Sequence, residues 1–168
     1  IKLINEQKAT MIVEHISYDT IEGEYDSTIF TAEKNTQSFD KAFLAKKAIQ
    51  DYVFTDGSAD KSIERKFAED LDAADEVCVY AKLPRTFQIP TPVGNYSPDW
   101  AIAFYEGKVK HIFFVAETKG TMESLELRPI EQAKISCAKK LFNEMSNSKV
   151  VYHDVDSYQS LLNIMNSI

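Results

Sequence analysis

The sequence predicts one α/β domain with a central mixed β-sheet flanked by helices, and three observations carry that expectation. Two consecutive runs, Asp99 to Tyr105 and His111 to Thr118, are apolar on both faces and therefore suit the middle of a sheet. Helical periodicity brackets them, at 60–74 before and 129–145 after. A chain of 168 residues with 44% apolar composition supports one real core and is too short for a two-domain enzyme.

Before Asp56 the pattern is weak, with short β-like pieces at Thr10 to Val13 and Ser27 to Thr31. Phe43 to Phe54 fits a helix by its Ala and Lys content, or a helix passing into a strand at Tyr52-Val53-Phe54, and periodicity does not choose. Asp56-Gly57 marks a turn. Asp60 to Ala74 then places Ile63, Phe67, Leu71 and Ala74 on one helical stripe. A strand follows at Glu76 to Leu83, with Val77, Val79 and Ala81 alternating. Pro84, Pro90 and Pro92 make Arg85 to Tyr96 an edge segment and loop. The two apolar runs are joined through Glu106-Gly107-Lys108 as a β-hairpin. Arg128-Pro129 opens a long helix expected to lie on the sheet through Ile130, Cys137 and Leu141. A strand at Lys149 to Tyr152 and a helix from Ser157 to Met165 complete the order.

Composition excludes several classes of function. With 19 basic and 26 acidic residues the formal net charge is -7, so no general attraction to nucleic acid is visible and any DNA contact must be local. Cys78, Cys137 and the scattered His15, His111 and His153 lack zinc-ligand spacing. No apolar run approaches the ~20 residues that span a bilayer. The chain reads as a soluble, intracellular piece of a longer protein.

The chemistry concentrates in Pro98-Asp99 and Glu117-Thr118-Lys119. If the hairpin turn centres near Lys108, Asp99 falls opposite or nearly opposite Glu117, and alternation sets Lys119 on the same face as Glu117. Two carboxylates ~5 Å apart repel by roughly 3 kcal/mol at an effective dielectric near 20. A divalent cation between them removes that cost, because hard ions such as Mg²⁺ take oxygen ligands. Lys119 would then stand beside the reacting phosphate, where an ammonium stabilises developing charge or assists the nucleophile. On the 60–74 helix, Glu64 falls near the apolar stripe and faces the sheet, whereas Glu69 faces water. The alternative for Asp99, Glu117 and Lys119 is a strand-end charge network, and for Glu64 a half-buried salt bridge to Arg65 or to a lysine of the sheet.

A Glu-bearing helix, a strand, Pro-Asp at the next strand and Glu-x-Lys ending the one after it resemble the PD-(D/E)XK nuclease fold. More narrowly, Ile63-Glu64-Arg65-Lys66-Phe67-Ala68-Glu69-Asp70-Leu71, Tyr80-Ala81-Lys82-Leu83-Pro84, Thr91 to Ile102, Ala116 to Gly120 and Leu127 to Lys140 resemble the C-terminal nuclease domain of the restriction subunit of type III restriction enzymes. The resemblance spans about Thr55 to Met145 and implies a restriction-endonuclease-like fold. It also implies Mg²⁺-dependent hydrolysis of double-stranded DNA, leaving 5′-phosphate and 3′-hydroxyl ends. Asp99, Glu117, Lys119 and Glu64 would be catalytic, and Asp99, Glu117, the Thr118 carbonyl and Glu64 would hold the metal. A helicase-like motor would precede the domain and a methyltransferase subunit would read the recognition site, all in the bacterial cytoplasm. The chain has no phosphate-loop motif, so ATP chemistry would belong to the upstream motor. Residues 1–55 would be a connector or the motor's tail, and 56–168 the nuclease domain.

Other conspicuous residues have structural explanations. Cys137 lies in an apolar stripe and Cys78 in a strand, both as packed thiols. Trp100 points away from Asp99 into the core. Gln132 and Lys134 read as a solvated helix face or as phosphate contacts, and Lys82, Arg85, Lys108, Lys110, Lys139 and Lys140 as a local positive rim. Two other functions compete: a catalytically silent DNA-binding or docking domain of the same fold, and a related nuclease of repair or junction resolution.

Overall fold

A computed structural model describes residues 17–18, 41–55, 62–105, 112–115, 129–145 and 150–167. Glu117, Thr118, Lys119, the 106–108 turn and the β-like pieces before residue 41 lie outside the described residues. A small antiparallel hairpin comes first, β1 (Ala42–Leu44) and β2 (Tyr52–Phe54), followed by α1 (Ile63–Ala73) and β3 (Val77–Lys82). Then come β4 (Trp100–Phe104), β5 (Ile112–Val115), α2 (Pro129–Met145), β6 (Val150–His153) and α3 (Tyr158–Met165).

The larger sheet runs β3-β4-β5-β6, with β5 and β6 parallel and the other neighbours antiparallel. The two apolar runs are its central strands, as their two-faced apolarity predicts. Period-two alternation on β4 sends Trp100, Ile102 and Phe104 to one face, where they pack with Phe67 and Leu71 of α1 and Leu161 of α3. On the other face Ile135, Ala138 and Phe142 of α2 meet Tyr152 of β6 and Ile89. The sheet is thus covered on both faces by helices.

Four expectations are corrected. Phe43 to Phe54 is no helix, although its strand alternative at Tyr52-Val53-Phe54 is met by β2: Phe43 pairs with Val53 across a hairpin, and Val53 is buried in the main core. Tertiary bonds fix the connection, because Ile49 N–H donates to the Tyr80 carbonyl (2.9 Å) and Tyr80 N–H to the Lys47 carbonyl (3.1 Å). On β3 the register shifts between Val77 and Val79, so Tyr80 rather than Val79 fills the core and Cys78 stands exposed. On α2, Ile130 is 40% exposed in the first turn, and Ala133, Ile135, Cys137, Ala138 and Phe142 form the buried stripe instead.

Helix α1 begins at Ser62, whose hydroxyl accepts the Arg65 N–H at 3.2 Å in an N-cap. Near its other end, Asp72 Oδ1 accepts from the Lys46 and Lys47 amides (2.8 and 2.9 Å) and the Tyr80 hydroxyl (3.2 Å). One carboxylate therefore ties α1, the β1–β2 connection and β3 together. Its role is structural.

Candidate active site

The topology brings Asp99, Glu64 and the C-terminal ends of β5 and β6 to one end of the sheet. Because β3 and β4 are antiparallel with Lys82 opposite Trp100, the last residue of β3 meets the start of β4, directly after Asp99. Trp100 in turn pairs with Val115, and Val115 with His153, so the C-terminal ends of β5 and β6 lie at this same end. Glu117 and Lys119 follow Val115 by two and four residues in sequence. Glu64, in the first turn of α1, reaches this end through Lys82.

Asp99 is half-buried, and its backbone carbonyl accepts the Leu83 N–H at 2.8 Å, which pins the entry of β4 to the exit of β3. Its neighbour Trp100 is fully buried, with its ring 5.8 Å from Phe67 and 6.1 Å from Tyr80. The core placement expected for Trp100 holds, and it anchors the carboxylate-bearing residue beside it.

Glu64 faces the sheet and Glu69 the solvent, where Glu69 pairs with Arg65 at 2.6 Å. Glu64 is engaged by Lys82, whose Nζ lies 2.5 Å from Oε1, with side-chain exposures of 21% for the lysine and 12% for the glutamate. The same ammonium donates to the Phe54 carbonyl at 2.9 Å and stands 5.7 Å from the centre of the Trp100 ring. The half-buried salt bridge to a sheet lysine is therefore the arrangement found. Lys82 does not join a solvated positive rim.

A second group stands at this end. The hydroxyls of Tyr96 and Tyr152 lie 2.6 Å apart, with Tyr152 stacked on Phe142. Burial, then the Tyr96 hydroxyl and the charges of Asp154 and Asp99, push the Tyr152 hydroxyl far above the ordinary tyrosine range. Tyr152 therefore stays protonated, and either hydroxyl of the pair can donate to the other. Tyr96 enters from the 84–98 loop, which closes on itself by a two-way backbone exchange between Ile89 and Tyr96 and turns through Gly94 at φ 111°. Lys134 of α2 lies under that turn, its Nζ 3.7 Å from where a Gly94 Cβ would stand. Gln132 is exposed.

Beyond β6, Lys139 Nζ pairs with Asp154 at 2.6 Å. Burial and the Lys139 charge lower His153 against the opposing pull of Asp154. Cys137 is buried against Tyr18 and Val93, and burial pushes its thiol up, so it is the packed thiol expected and no nucleophile. Among the described residues no group of three His, Cys, Asp or Glu side chains is placed to hold a metal ion. Two of the expected ligands, Glu117 and the Thr118 carbonyl, fall outside them.

The family model described as an endonuclease domain matches residues 46–158. The chain belongs to this endonuclease-domain family. The domain is 32% identical over 143 residues to the type III restriction-modification enzyme EcoP15I Res subunit of Escherichia coli, across 79% of this chain and 15% of that protein. It is 31% identical over 122 residues to the EcoPI Res subunit of Escherichia phage P1, across 68% of this chain and 12% of that protein. It thus spans about one seventh or less of the length of these curated relatives. No solved structure matches the endonuclease domain. No helix among its described residues is long and apolar enough to cross a membrane.

Proposed function

We propose that this endonuclease domain hydrolyses phosphodiester bonds of double-stranded DNA as the cutting module of a type III restriction enzyme, with a PD-(D/E)XK core. One observation carries the reading: the C-terminal ends of β3, β5 and β6, the start of β4 after Asp99, and the first turn of α1 with Glu64 all meet at one end of the sheet. Glu64 and Asp99, far apart in sequence, are thereby brought to the same end of the sheet.

The donor chemistry fits Mg²⁺. Asp99 and Glu64 are hard oxygen donors, half-buried at that end, and Glu117 and the Thr118 carbonyl would complete the set. The ion would supply Lewis-acid polarisation of the scissile phosphate. Lys119 would stabilise the charge growing on the phosphoryl oxygens. The domain's acidic balance suits a module with little DNA affinity of its own. Delivery would fall to an ATP-dependent motor upstream and to a methyltransferase (Mod) subunit that reads the site, in the bacterial cytoplasm.

The roles separate experimentally. Lys119→Met should lower DNA cleavage by about 100-fold or more while leaving Mg²⁺ binding by calorimetry nearly intact, because it removes a charge-stabilising donor and no ligand. Asp99→Asn should weaken both. Full cleavage by Lys119→Met, assayed in the motor-containing subunit with its methyltransferase, would overturn the assigned role.

A further inference from the structure

Lys82 is a cation paired with one of the expected metal ligands, Glu64. It ends β3 opposite Trp100, and its ammonium is committed to the Glu64 carboxylate at 2.5 Å, the Phe54 carbonyl at 2.9 Å and the face of the Trp100 ring. An ammonium has three protons to donate, and two go to these oxygens. Every group it touches is fixed by a different element: Glu64 by α1, Phe54 by β2, Trp100 by β4. We infer that Lys82 is a positioning residue that holds Glu64 Oε1 as a stand-in cation, so that ion pairing with Lys82 and ligation of a divalent ion are alternatives at one carboxylate.

The physical reason is electrostatic. A carboxylate with only 12% of its side chain exposed needs a compensating cation, and the sheet supplies one before any metal arrives. When a divalent ion takes that oxygen, the ammonium must give up Glu64 Oε1, and its flexible stem lets it do so while it still donates to the Phe54 carbonyl. The domain therefore folds without metal, and its metal affinity is set partly by the strength of the Glu64–Lys82 pair. The inference rests on the nuclease reading for the identity of the site. Its test needs no DNA, so absence of cleavage and absence of the effect below are separate results.

The full 168-residue chain would be melted in a MgCl₂ titration at constant ionic strength, with NaCl balancing the salt so that screening is held fixed. Lys82→Met should lower the metal-free melting temperature by roughly 5–10 °C, since it strands a mostly buried carboxylate. The Mg²⁺-induced rise should then at least double relative to wild type, and adding Glu64→Gln should abolish that gain while recovering the metal-free stability. Lys82→Arg keeps the charge and grips a carboxylate through a planar fork, so it should shrink the Mg²⁺-induced rise below wild type. A rise in Lys82→Met equal to or smaller than that of wild type would overturn the inference. If Lys82→Met does not fold, an unchanged or larger rise in Lys82→Arg would do the same.

Discussion

Asp99 and Trp100 are adjacent in sequence and part to opposite faces of the sheet, and that division sets the logic of the site. Trp100 spends its side chain on the core between Phe67 and Tyr80, which fixes the backbone from which Asp99 projects. The Pro98-Asp99-Trp100 motif was legible because all its information is local. The Glu64–Lys82 and Tyr96–Tyr152 contacts were less so, since their partners stand 18 and 56 residues apart. The sequence signal for Lys82 was a single lysine closing an apolar strand opposite the start of the next one, and it allowed a sheet lysine for Glu64 without naming it. Asp72 left no signal at all, being one acid among several on α1. Because it accepts from two amides and a hydroxyl, Asp72→Ala should destabilise the domain by about 2–3 kcal/mol, read by urea unfolding. A loss under about 0.5 kcal/mol would show that these bonds are replaced by water.

At the scale of elements, α1, α2, α3 and the four strands of the larger sheet follow from helical stripes and two-faced apolar runs. The β1–β2 hairpin did not, for a physical reason: strands of three residues are too short to display a period, and the bonds to Tyr80 that hold their connection are tertiary. Local Ala and Lys content favoured a helix there and was overridden. The exit of β6 carries its own testable electrostatics. Burial and the Lys139 charge hold His153 below its ordinary 6.5, so the fold favours the neutral ring. Burial works to raise Asp154, and the hydrogen bond and charge of Lys139 outweigh it, leaving the carboxyl below its ordinary 3.8. Both groups bind a proton more readily unfolded than folded, so the stability each contributes is present at neutral pH and is lost as pH falls. His153 should account for a loss beginning below about pH 6.5 and Asp154 for one beginning below about pH 4. Melting temperature against pH should fall between pH 7 and 5 in wild type and flatten over that range in His153→Gln. A wild-type profile that rises on acidification would contradict the assignment.

On the scale of the whole molecule, the sheet separates structure from chemistry. Its two faces are given to helices, and Asp99 and Glu64 stand at one end, where β3 finishes, β4 starts and β5 and β6 finish. A net charge of -7 sits poorly with autonomous binding to a polyanion and well with a domain carried to DNA by other parts of a larger enzyme. The central claim is that this end of the sheet cuts DNA with Mg²⁺ through Asp99. Nicking of supercoiled plasmid by the full enzyme assembly, wild type against Asp99→Ala, with Mg²⁺ and with excess EDTA, tests it most directly. The account predicts open-circular and linear product from wild type with Mg²⁺ alone, and none from Asp99→Ala or under EDTA. Cleavage by Asp99→Ala at the wild-type rate would contradict it.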